Sequence, residues 1–421
     1  MQAFREPLPQ EPTAAEDILR LLHDNGGPAT TASTGGRYFG FVNGGVLPAA
    51  LAAKWLADTW DQNAALSIMS PVAAELELVC ENWLVDLLGL PPGTAAGFVT
   101  GTSSATLCGL AAGRNSLLKR LGWDANADGL FGAPSLRVVL GAQAHASVGK
   151  ALGVLGLGKN RVELAPADDQ GRMIPEQMPK LDNRCLVLAQ AGNVNTGAFD
   201  DLASIGTRAQ DAGSWLHVDG AFGLWAAGSA KYRYLMRGAD LADSWSVDAH
   251  KTLNAPYDCG IIFCKQRDAL TEALQASASY LLASGQRDGM HLSLDMSRRA
   301  RSIELWATLK ALGRSGVEDL VDRLCRHARR FAAGLAAQGF RVLNDVVFNQ
   351  VLVACDTPAS TQATLARIQE SGECWCGSAV WNGEPVIRIS VCSWASTEND
   401  IDRSVRAFVA ARSEQQGNRA T

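Results

Sequence analysis

Two short segments of the chain each carry a charged side chain where an apolar run ends in a turn. They are residues 217–221, which include Asp219, and residues 246–252, which include Lys251. A carboxylate at a strand end can hydrogen-bond a pyridine nitrogen, and a lysine amine can form a Schiff base with an aldehyde. Each residue alone could be an ordinary strand-end or loop residue. Because an unpaired charge in such apolar surroundings is costly, the pair predicts a pocket for pyridoxal phosphate.

A third segment, residues 100–106, places small and hydroxylated side chains at the start of a predicted helix. Thr102 and Ser103 are among them. The free amides, the hydroxyls and the dipole at a helix start suit a phosphate ester. Serine and threonine are also ordinary helix caps, so the segment alone is weak. Its expected position beside Asp219 and Lys251 favours a phosphate site.

Strands alternate with helices in the first three quarters of the chain, a pattern typical of a mainly parallel sheet with helices on both faces. Most predicted strands are continuous apolar runs, as strands buried on both faces should be. Ligands in such sheets bind beyond the carboxyl ends of the strands, where all three segments fall. The predicted strands are residues 97–100, 136–140, 161–164, 185–190, 215–218, 242–247 and 259–264. The predicted helices are residues 103–119, 146–155, 175–181 and 202–211.

Further elements flank this sheet. A helix is predicted over residues 71–88, with Ser70 as its N-cap and an apolar stripe of Val72, Leu76, Val79 and Trp83 that would pack on the sheet. Two helices, over 303–313 and 317–335, open a mixed α+β region. We therefore expect an N-terminal segment (1–60), a large cofactor-binding domain (61–299) and a small C-terminal domain (300–421).

The composition indicates a globular protein. The chain has 421 residues, 47% of them apolar, and a mean hydropathy near zero. No apolar run approaches the roughly 18 to 20 residues that span a bilayer, and the first residues do not resemble a signal peptide. We expect no membrane association and a cytoplasmic location. The net charge of −5, with dispersed lysines and arginines, argues against a nucleic-acid partner and favours a small substrate.

Two residue clusters have alternative interpretations. The basic cluster Arg298, Arg299 and Arg301 could line an anionic site or form a solvated helix face, and the residues alone favour the solvated face. The ten cysteines mostly fall in apolar patterns and are expected to be reduced. Cys374 and Cys376 lack a second Cys/His pair at zinc-site spacing, so we predict no metal site.

The chain resembles the group II pyridoxal-phosphate-dependent amino acid decarboxylases, the family of aromatic amino acid, histidine and glutamate decarboxylases. The resemblance covers nearly the whole chain. It implies a type I aminotransferase-like fold, with a seven-stranded sheet and a smaller C-terminal α+β domain, and a homodimer with active sites at the subunit interface. The most specific motifs are residues 144–148, 197–200, 217–219 and 248–251, with further matches at 37–41, 70–77, 388–390 and 397–402.

The resemblance also implies a role for each matching residue. Lys251 matches the Schiff-base lysine, and Asp219 matches the partner of the pyridine nitrogen. His145 and Ala221 match the residues on the two faces of the ring, and His145 can also guide the substrate carboxylate. Three further residues, Thr102, Ser103 and His250, match the phosphate site, and Tyr280 matches a loop tyrosine that returns a proton to the substrate carbon.

Several positions depart from the family pattern or leave alternatives open. Asn193 stands where many members have a hydroxyl that bonds the cofactor, and its amide could substitute. Asp248 stands where the family often has asparagine, and a carboxylate there would repel a phosphate unless it is turned away or paired. Arg388 could bind a substrate carboxylate or be a structural ion-pair partner. Phe41 would suit an aromatic substrate side chain, although apolar residues more often pack.

The resemblance predicts decarboxylation of an L-amino acid to its amine and carbon dioxide. Acidic, basic and aromatic amino acids all remain open as substrates. One alternative is another pyridoxal phosphate reaction on the same fold, by a carbon–carbon lyase or an aldehyde synthase. A second is a cofactor-binding homologue without turnover.

Overall fold

The computed structural model describes residues 2–275 and 287–417. Strands and α-helices are numbered here in chain order. The strands are β1 (Tyr38–Phe39), β2 (Ala95–Val99), β3 (Arg137–Gly141), β4 (Val162–Ala165), β5 (Cys185–Gln190), β6 (Trp215–Asp219), β7 (Ser244–Asp248), β8 (Gly260–Cys264), β9 (Arg341–Val342), β10 (Gln350–Ala354), β11 (Trp375–Trp381) and β12 (Glu384–Ser390).

The α-helices vary widely in length. They are α1 (Ala15–Leu21), α2 (Pro48–Trp60), α3 (Pro71–Leu88), α4 (Thr102–Arg120), α5 (Ala125–Asp128), α6 (Ala146–Val154), α7 (Leu202–Asp211), α8 (Arg267–Leu274), α9 (Ser302–Ala337), α10 (Pro358–Ser371) and α11 (Glu398–Gly417). Among the residues described, no helix is both long and apolar enough to cross a membrane.

The larger sheet has seven strands in the order β2-β8-β7-β6-β5-β3-β4. The strands from β7 to β4 are parallel to their neighbours, whereas β8 runs antiparallel to both β7 and β2. The predicted mainly parallel seven-stranded sheet is therefore confirmed. Because β5, β6 and β7 are parallel and adjacent, their carboxyl ends meet at one edge of the sheet.

Both faces of this sheet are covered by helices. Successive strand residues point to opposite faces, so Val138 packs in one core cluster and Val139 in the other. Helices α4, α6 and α8 supply the first cluster, and α3, α7 and α9 supply the second. This double coverage explains why the strands read as continuous apolar runs.

The smaller sheet has five strands in the order β1-β11-β12-β10-β9. Its core is shared with α9, α10 and α11. Strand β1 comes from the N-terminal segment and pairs in parallel with β11, Tyr38 opposite Trp375. Both ends of the chain thus contribute to this sheet, and the predicted boundaries at residues 60 and 299 stay a prediction.

Two predicted local features differ from the structure. Residues 175–181 form only a short 3-10 turn, Pro175–Gln177, because Pro179 disfavours a helical conformation at Met178, which is extended. The predicted stripe on α3 is also wrong: Val72 and Trp83 are 39% and 37% exposed, and the buried face carries Ala73, Cys80 and Leu84. Glu77 and Glu81 lie on that buried face as well. Because they interrupt its apolar periodicity, the sequence pattern did not indicate this face.

Candidate active site

A cavity of about 470 Å³ opens at the carboxyl ends of β5, β6 and β7. It is bounded by the start of α4 and by residues of β12 and the N-terminal segment. Nine of the predicted site residues line it: Thr102, Ser103, His145, Asp219, Ala221, His250, Lys251, Phe41 and Arg388. The other lining residues are Val42, Thr100, Gly101, Ser147, Gln190, Gly192, Val194, Phe222, Asp248 and Tyr257. The cavity therefore unites segments far apart in sequence.

Asp219 ends β6 and is buried at the floor of the cavity. Its Oδ1 accepts a hydrogen bond from the Ala221 amide at 3.1 Å, which fixes the carboxylate relative to the turn that follows. Burial raises the pKa of the Asp219 carboxyl, while the nearby Lys251 and His145 act in the opposite direction. A cationic ring nitrogen at this position would supply the counter-charge that the buried carboxylate needs.

Lys251 lies in the turn after β7 and forms an ion pair with Asp248. The distance from Lys251 Nζ to Asp248 Oδ2 is 2.9 Å. The main chain of the turn is held by a close approach of the N-terminal segment, because a Cβ on Gly44 would lie 2.1 Å from the Lys251 carbonyl oxygen. Only glycine fits there, so the lysine turn and residues 44–45 pack backbone to backbone.

The start of α4 forms the end of the cavity that is richest in donors. Thr102 is buried, its amide donates to Asp248 Oδ1 at 2.6 Å, and its Oγ1 has no hydrogen-bond partner among the residues the structure describes. Glycines allow this helix to approach the sheet, since a Cβ on Gly260 would lie 2.3 Å from the Gly101 Cα. A buried hydroxyl without a partner at a helix start suits an anionic ligand.

His250 lies between the helix start and Tyr257. Its Nδ1 accepts a hydrogen bond from the Cys259 amide at 3.1 Å, and its ring stacks on Tyr257 with centroids 4.2 Å apart. The Tyr257 hydroxyl donates to Asn43 Oδ1 at 2.9 Å. Burial lowers the pKa of His250, so the neutral ring, with its proton on Nε2, is the form that these contacts favour.

His145 is the N-cap of α6, across the cavity from Lys251. Its Nδ1 accepts from the Ser147 amide at 3.2 Å and lies 2.7 Å from the Ser147 hydroxyl. These contacts orient the imidazole over the cavity. Withdrawal of the ring from water lowers its pKa, with Asp219 acting in the opposite direction.

Arg388, on β12, projects into the cavity from the smaller sheet. Its Nε is buried without a hydrogen-bond partner, and no carboxylate in residues 2–275 or 287–417 forms an ion pair with it. Burial lowers the pKa of its guanidinium. Of the two interpretations that the sequence left open, the contacts favour binding of a ligand carboxylate over a structural ion pair.

Phe41 lies on the cavity rim and is 59% exposed. Its ring stacks on Trp375, with centroids 5.3 Å apart, and Trp375 stacks on Tyr38 at 5.0 Å. Phe41 and the buried Val42 both have positive φ angles, 53° and 60°, a conformation that bulky residues rarely adopt. The surrounding contacts therefore hold this aromatic wall in place.

One predicted site residue in the described part of the chain, Asn193, does not line the cavity. Asn193 is buried beneath it, and its Oδ1 accepts from the Asn195 and Thr196 amides at 2.9 and 3.2 Å. Its amide thus orders the turn between Gly192 and Thr196, and its assignment to the cofactor stays a prediction that this geometry does not favour. Tyr280 lies outside the described residues.

Asn254, which was not predicted from the sequence, joins three parts of the chain. Its Oδ1 accepts from the Gly45 amide at 2.6 Å and from the Trp394 amide at 2.9 Å, and its Nδ2 donates to the Cys392 carbonyl at 3.0 Å. Asn254 has a φ angle of 59°, in the left-handed region that asparagine tolerates. An asparagine three residues after the lysine was the only available signal.

The basic cluster at residues 298–301 is neither an anionic site nor a solvated face. Arg298 pairs with the buried Glu77 at 2.6 Å, and Arg301 pairs with Asp258 at 2.8 Å. Arg299 contacts Asp258 as well, at 3.1 Å. These arginines tie the start of α9 to α3 and to the turn that carries Tyr257. Within the described ranges, no cluster of three or more His, Cys, Asp or Glu residues could hold a metal ion.

The donor set of the cavity fits pyridoxal phosphate. Lys251 offers the amine that would hold an aldehyde, and Asp219 offers the carboxylate for a ring nitrogen. The unpartnered Thr102 Oγ1, with Ser103, offers the phosphate site at the start of α4. Ala221 and His145 line the same cavity and match the residues that would contact the two faces of the ring.

Comparison with known proteins agrees with this assignment. Residues 1–354 match the family model described as "Pyridoxal-dependent decarboxylase conserved domain". An aromatic-L-amino-acid decarboxylase of Drosophila lebanonensis is 30% identical over 382 residues, covering 83% of this chain and 91% of that protein. An acidic amino acid decarboxylase of Mus musculus is 29% identical over 354 residues, covering 80% and 62%.

Solved structures share the fold. The crystal structure of Oryza sativa TDC with PLP and tryptamine has a TM-score of 0.90 at 20% identity, covering 98% of this chain and 90% of that one. The structure of mouse CSAD has a TM-score of 0.88 at 23% identity, covering 97% and 90%. The chain therefore belongs to the pyridoxal-dependent decarboxylase family and is a carboxy-lyase that acts on an amino acid with pyridoxal 5'-phosphate as its cofactor.

Proposed function

We propose that the chain converts an L-amino acid into its amine at the Lys251 cavity, with Asp219, His145 and Arg388 as the other principal groups. When bound, the cofactor supplies an electron sink for the bond that breaks between Cα and the carboxylate. The observation that carries the proposal is the convergence of the amine, the buried carboxylate and the unpartnered Thr102 hydroxyl on one cavity.

Asp219 would keep the sink effective by holding a proton on the ring nitrogen. A carboxylate at that atom stabilises its protonated form. Burial makes the Asp219 charge costly unless it has a cationic partner, so the carboxylate and the protonated nitrogen stabilise each other. Ala221 leaves room on one side of the ring, and His145 covers the other.

Arg388 would bind the substrate α-carboxylate. Its Nε lacks a partner in the described part of the chain, and a carboxylate is the anion whose geometry matches a guanidinium. A carboxylate fixed in this way is oriented relative to the ring, which determines the bond that breaks. His145, on the opposite wall, would contact the same carboxylate or return a proton to Cα after carbon dioxide leaves, a role that the resemblance gives mainly to Tyr280.

For the substrate side chain, we propose a large apolar or aromatic group. The stack of Phe41, Trp375 and Tyr38 offers a flat apolar wall at the cavity rim. The two acidic residues among the described lining residues, Asp219 and Asp248, are both assigned to the cofactor end. A basic substrate side chain would therefore find no acidic partner among these lining residues.

The experiment that tests the function is product analysis. The purified, cofactor-loaded protein is incubated with each of the twenty amino acids, ornithine, diaminobutyrate and dihydroxyphenylalanine, and products are identified by mass spectrometry. We expect an amine from an aromatic or large apolar amino acid and none with Lys251→Ala. Aldehyde with peroxide would indicate an aldehyde synthase, and no turnover with the cofactor bound would favour a lyase or a non-catalytic homologue.

We also propose that the chain forms a homodimer. Helix α2 packs against α9 through small side chains such as Ala50 and Ala53, and directs its large apolar side chains outward. An exposed apolar face of this kind normally marks an interface. The outward residues are Leu51, Trp55, Leu56 and Trp60, which continue into Ile68, Met69 and Val72.

We propose a cytoplasmic location because the cysteines of the chain are free thiols. All ten cysteines are free and buried, inside helices, strands and the turns between them. Proteins of oxidising compartments more often use their cysteines as disulfides.

A further inference from the structure

Asp248 has a position in the cavity that the proposed mechanism does not use. It ends β7 and its side chain is 4% exposed. Its main chain is fixed on both sides, because its amide donates to the Ala221 carbonyl at 2.9 Å and its carbonyl accepts from Trp225 Nε1 at 3.0 Å. The carboxylate is therefore held in the cavity by the sheet and does not depend on a mobile loop for its position.

The two oxygens of Asp248 contact three groups. Oδ1 accepts from the Thr102 amide at 2.6 Å. Oδ2 lies 2.9 Å from Lys251 Nζ and 3.7 Å from His250 Nε2. Since His250 Nδ1 accepts from the Cys259 amide, a neutral His250 carries its proton on Nε2, facing Asp248. The carboxylate thus already interacts with the donors at the start of α4.

These donors are the ones that a phosphate ester needs. The Thr102 amide and His250 Nε2 both contact Asp248, and the unpartnered hydroxyl belongs to the same Thr102 in the cavity lining. A phosphate carries close to two negative charges at neutral pH. A buried carboxylate that shares donors with such a group repels it, because two like charges a few ångströms apart cannot both be stabilised by the same amides.

We propose that Asp248 is an internal competitor for the phosphate of the cofactor. In the cofactor-free protein its carboxylate occupies the Thr102 amide and pairs with Lys251, so that the helix start and the lysine are both ordered before the cofactor arrives. Cofactor binding must displace these contacts, and the affinity is lower than the donor set alone would give. The inference rests on the assignment of this cavity to pyridoxal phosphate.

The test uses a ligand that cannot react with Lys251. Pyridoxine 5'-phosphate lacks the aldehyde, so its dissociation constant reports phosphate and ring binding alone, and inorganic phosphate reports the phosphate site. Asp248→Asn keeps the size of the side chain and an oxygen acceptor for the Thr102 amide but removes the charge. We expect it to bind pyridoxine 5'-phosphate at least tenfold more tightly, about 1.4 kcal/mol, with a parallel gain for inorganic phosphate.

Asp243→Asn is the matched control. Asp243 precedes β7 at the opposite end of the strand, is also a partly buried carboxylate, and accepts from the Leu216 amide at 2.8 Å. Its replacement makes the same chemical change at the other end of β7. The dissociation constant of this variant for pyridoxine 5'-phosphate should stay within about twofold of the native value. If Asp248→Asn does not fold, as judged by circular dichroism, Asp248→Ser takes its place, since its hydroxyl can still accept from Thr102.

The outcomes separate this inference from the proposed function. Suppose that the native protein binds pyridoxine 5'-phosphate and releases an amine from a substrate. If the Asp248 variants then bind pyridoxine 5'-phosphate equally well or more weakly, the inference alone is overturned. A native protein that binds neither pyridoxine 5'-phosphate nor pyridoxal phosphate overturns both. Tighter binding by Asp248→Asn and not by Asp243→Asn supports the competitor role, whether or not the amine-forming substrate has been found.

Discussion

Arg388 and Asp219 show at the residue scale how burial without a partner indicates ligand binding. Arg388 reaches the cavity from the smaller sheet with its Nε unpaired, and Asp219 has one amide donor for a buried charge. Each of these charged groups is costly to bury unless a ligand completes its contacts. A bound carboxylate at Arg388 and a cationic group at Asp219 would supply the contacts that these buried charges lack.

The role of Arg388 can be checked because the amino acid substrate has a carboxylate and the amine product has none. Arg388→Gln should raise the KM of the amino acid roughly 10- to 100-fold, because a charge-assisted hydrogen bond contributes roughly 1.5–3 kcal/mol. Inhibition by the amine product should not change, since the amine has no carboxylate. Arg341→Gln, on β9 of the same sheet, is the control, as Arg341 is half exposed and pairs with Glu384 at 3.7 Å. Equal losses of affinity for both ligands would contradict the assignment.

Most of the site was predictable because its residues follow strand ends in short, distinctive segments. Asp219, Lys251 and the Thr102 region could be placed together from the order of the strands alone. Asn193 shows where this fails: it follows β5 at the correct edge, but its side chain turns back to cap the loop. The direction of a side chain after a strand depends on turn geometry that residue types do not specify.

Glycine contacts at the element scale determine how closely α4 approaches the sheet. A Cβ at Gly260, on β8, would lie 2.3 Å from the Cα of Gly101. The first turn of α4 therefore reaches the edge of the sheet only because residue 260 has no side chain. The proposed phosphate site depends on this approach, since it brings the Thr102 amide to Asp248.

Gly260→Ala should separate α4 from β8 and weaken cofactor binding. Overpacking of this kind destabilises by roughly 1–3 kcal/mol, and the displaced Thr102 amide should lower the affinity for pyridoxal phosphate. Thermal unfolding and cofactor titration measure the two effects. Gly153→Ala is the control, because a Cβ there meets nothing within 4 Å in α6, and it should stabilise by roughly 0.5–1 kcal/mol. If both variants bind the cofactor like the native protein, the close approach does not matter.

The elements that sequence patterns found have a distinctive local signal, which is an apolar run for a strand and a cap or an amphipathic period for a helix. Strands β5 and β6 and helices α3 and α7 were placed within one residue of their ends. Strand β11 was missed, because it contains a glycine, a serine and an exposed Val380 and so lacks an apolar run. Strand β1 is only two residues long and exists because β11 is there to pair with it, which no local pattern indicates.

At the scale of the whole molecule, His217 links stability to pH. The ring is fully buried between Ser244 Oγ at 2.8 Å and Ser246 Oγ at 3.2 Å, and burial lowers its pKa to about 3. In the unfolded chain histidine titrates near pH 6.5. Below pH 6.5 the unfolded state binds a proton at His217, whereas the folded state does not. The stabilisation is therefore complete above pH 6.5 and is lost as the pH falls toward 3.

His217→Gln should remove this dependence. From pH 7 to pH 3, the native protein should lose roughly 5 kcal/mol of unfolding free energy through this residue, and the variant should lack that share of the slope. Asp200 acts in the opposite sense, because burial raises its pKa to about 6. Its contribution to the free energy of unfolding falls as the pH rises. Because Asp200 is present in both proteins, this contribution cancels when the native protein and the variant are compared. An unchanged slope in His217→Gln would exclude the linkage.

The proposed dimer is testable on the outward face of α2. Leu56→Glu places a charge among the large apolar side chains and should convert the protein to a monomer in analytical ultracentrifugation. Phe131→Glu is the control, because Phe131 is fully exposed in the loop between α5 and β3 and is not one of the residues of that face. A monomeric native protein, or a dimer that survives Leu56→Glu, would contradict the proposed interface.

Asn254 has a consequence for the order in which the site is completed during folding. Its side chain bonds Gly45 and Thr252 beside the lysine turn, and it also bonds Cys392 and Trp394, which follow β12. The last two contacts form only when the segment after β12 has docked against the lysine turn. A chain in which only the larger sheet has formed therefore lacks part of the bracing around Lys251, and the pocket is completed when the two sheets come together.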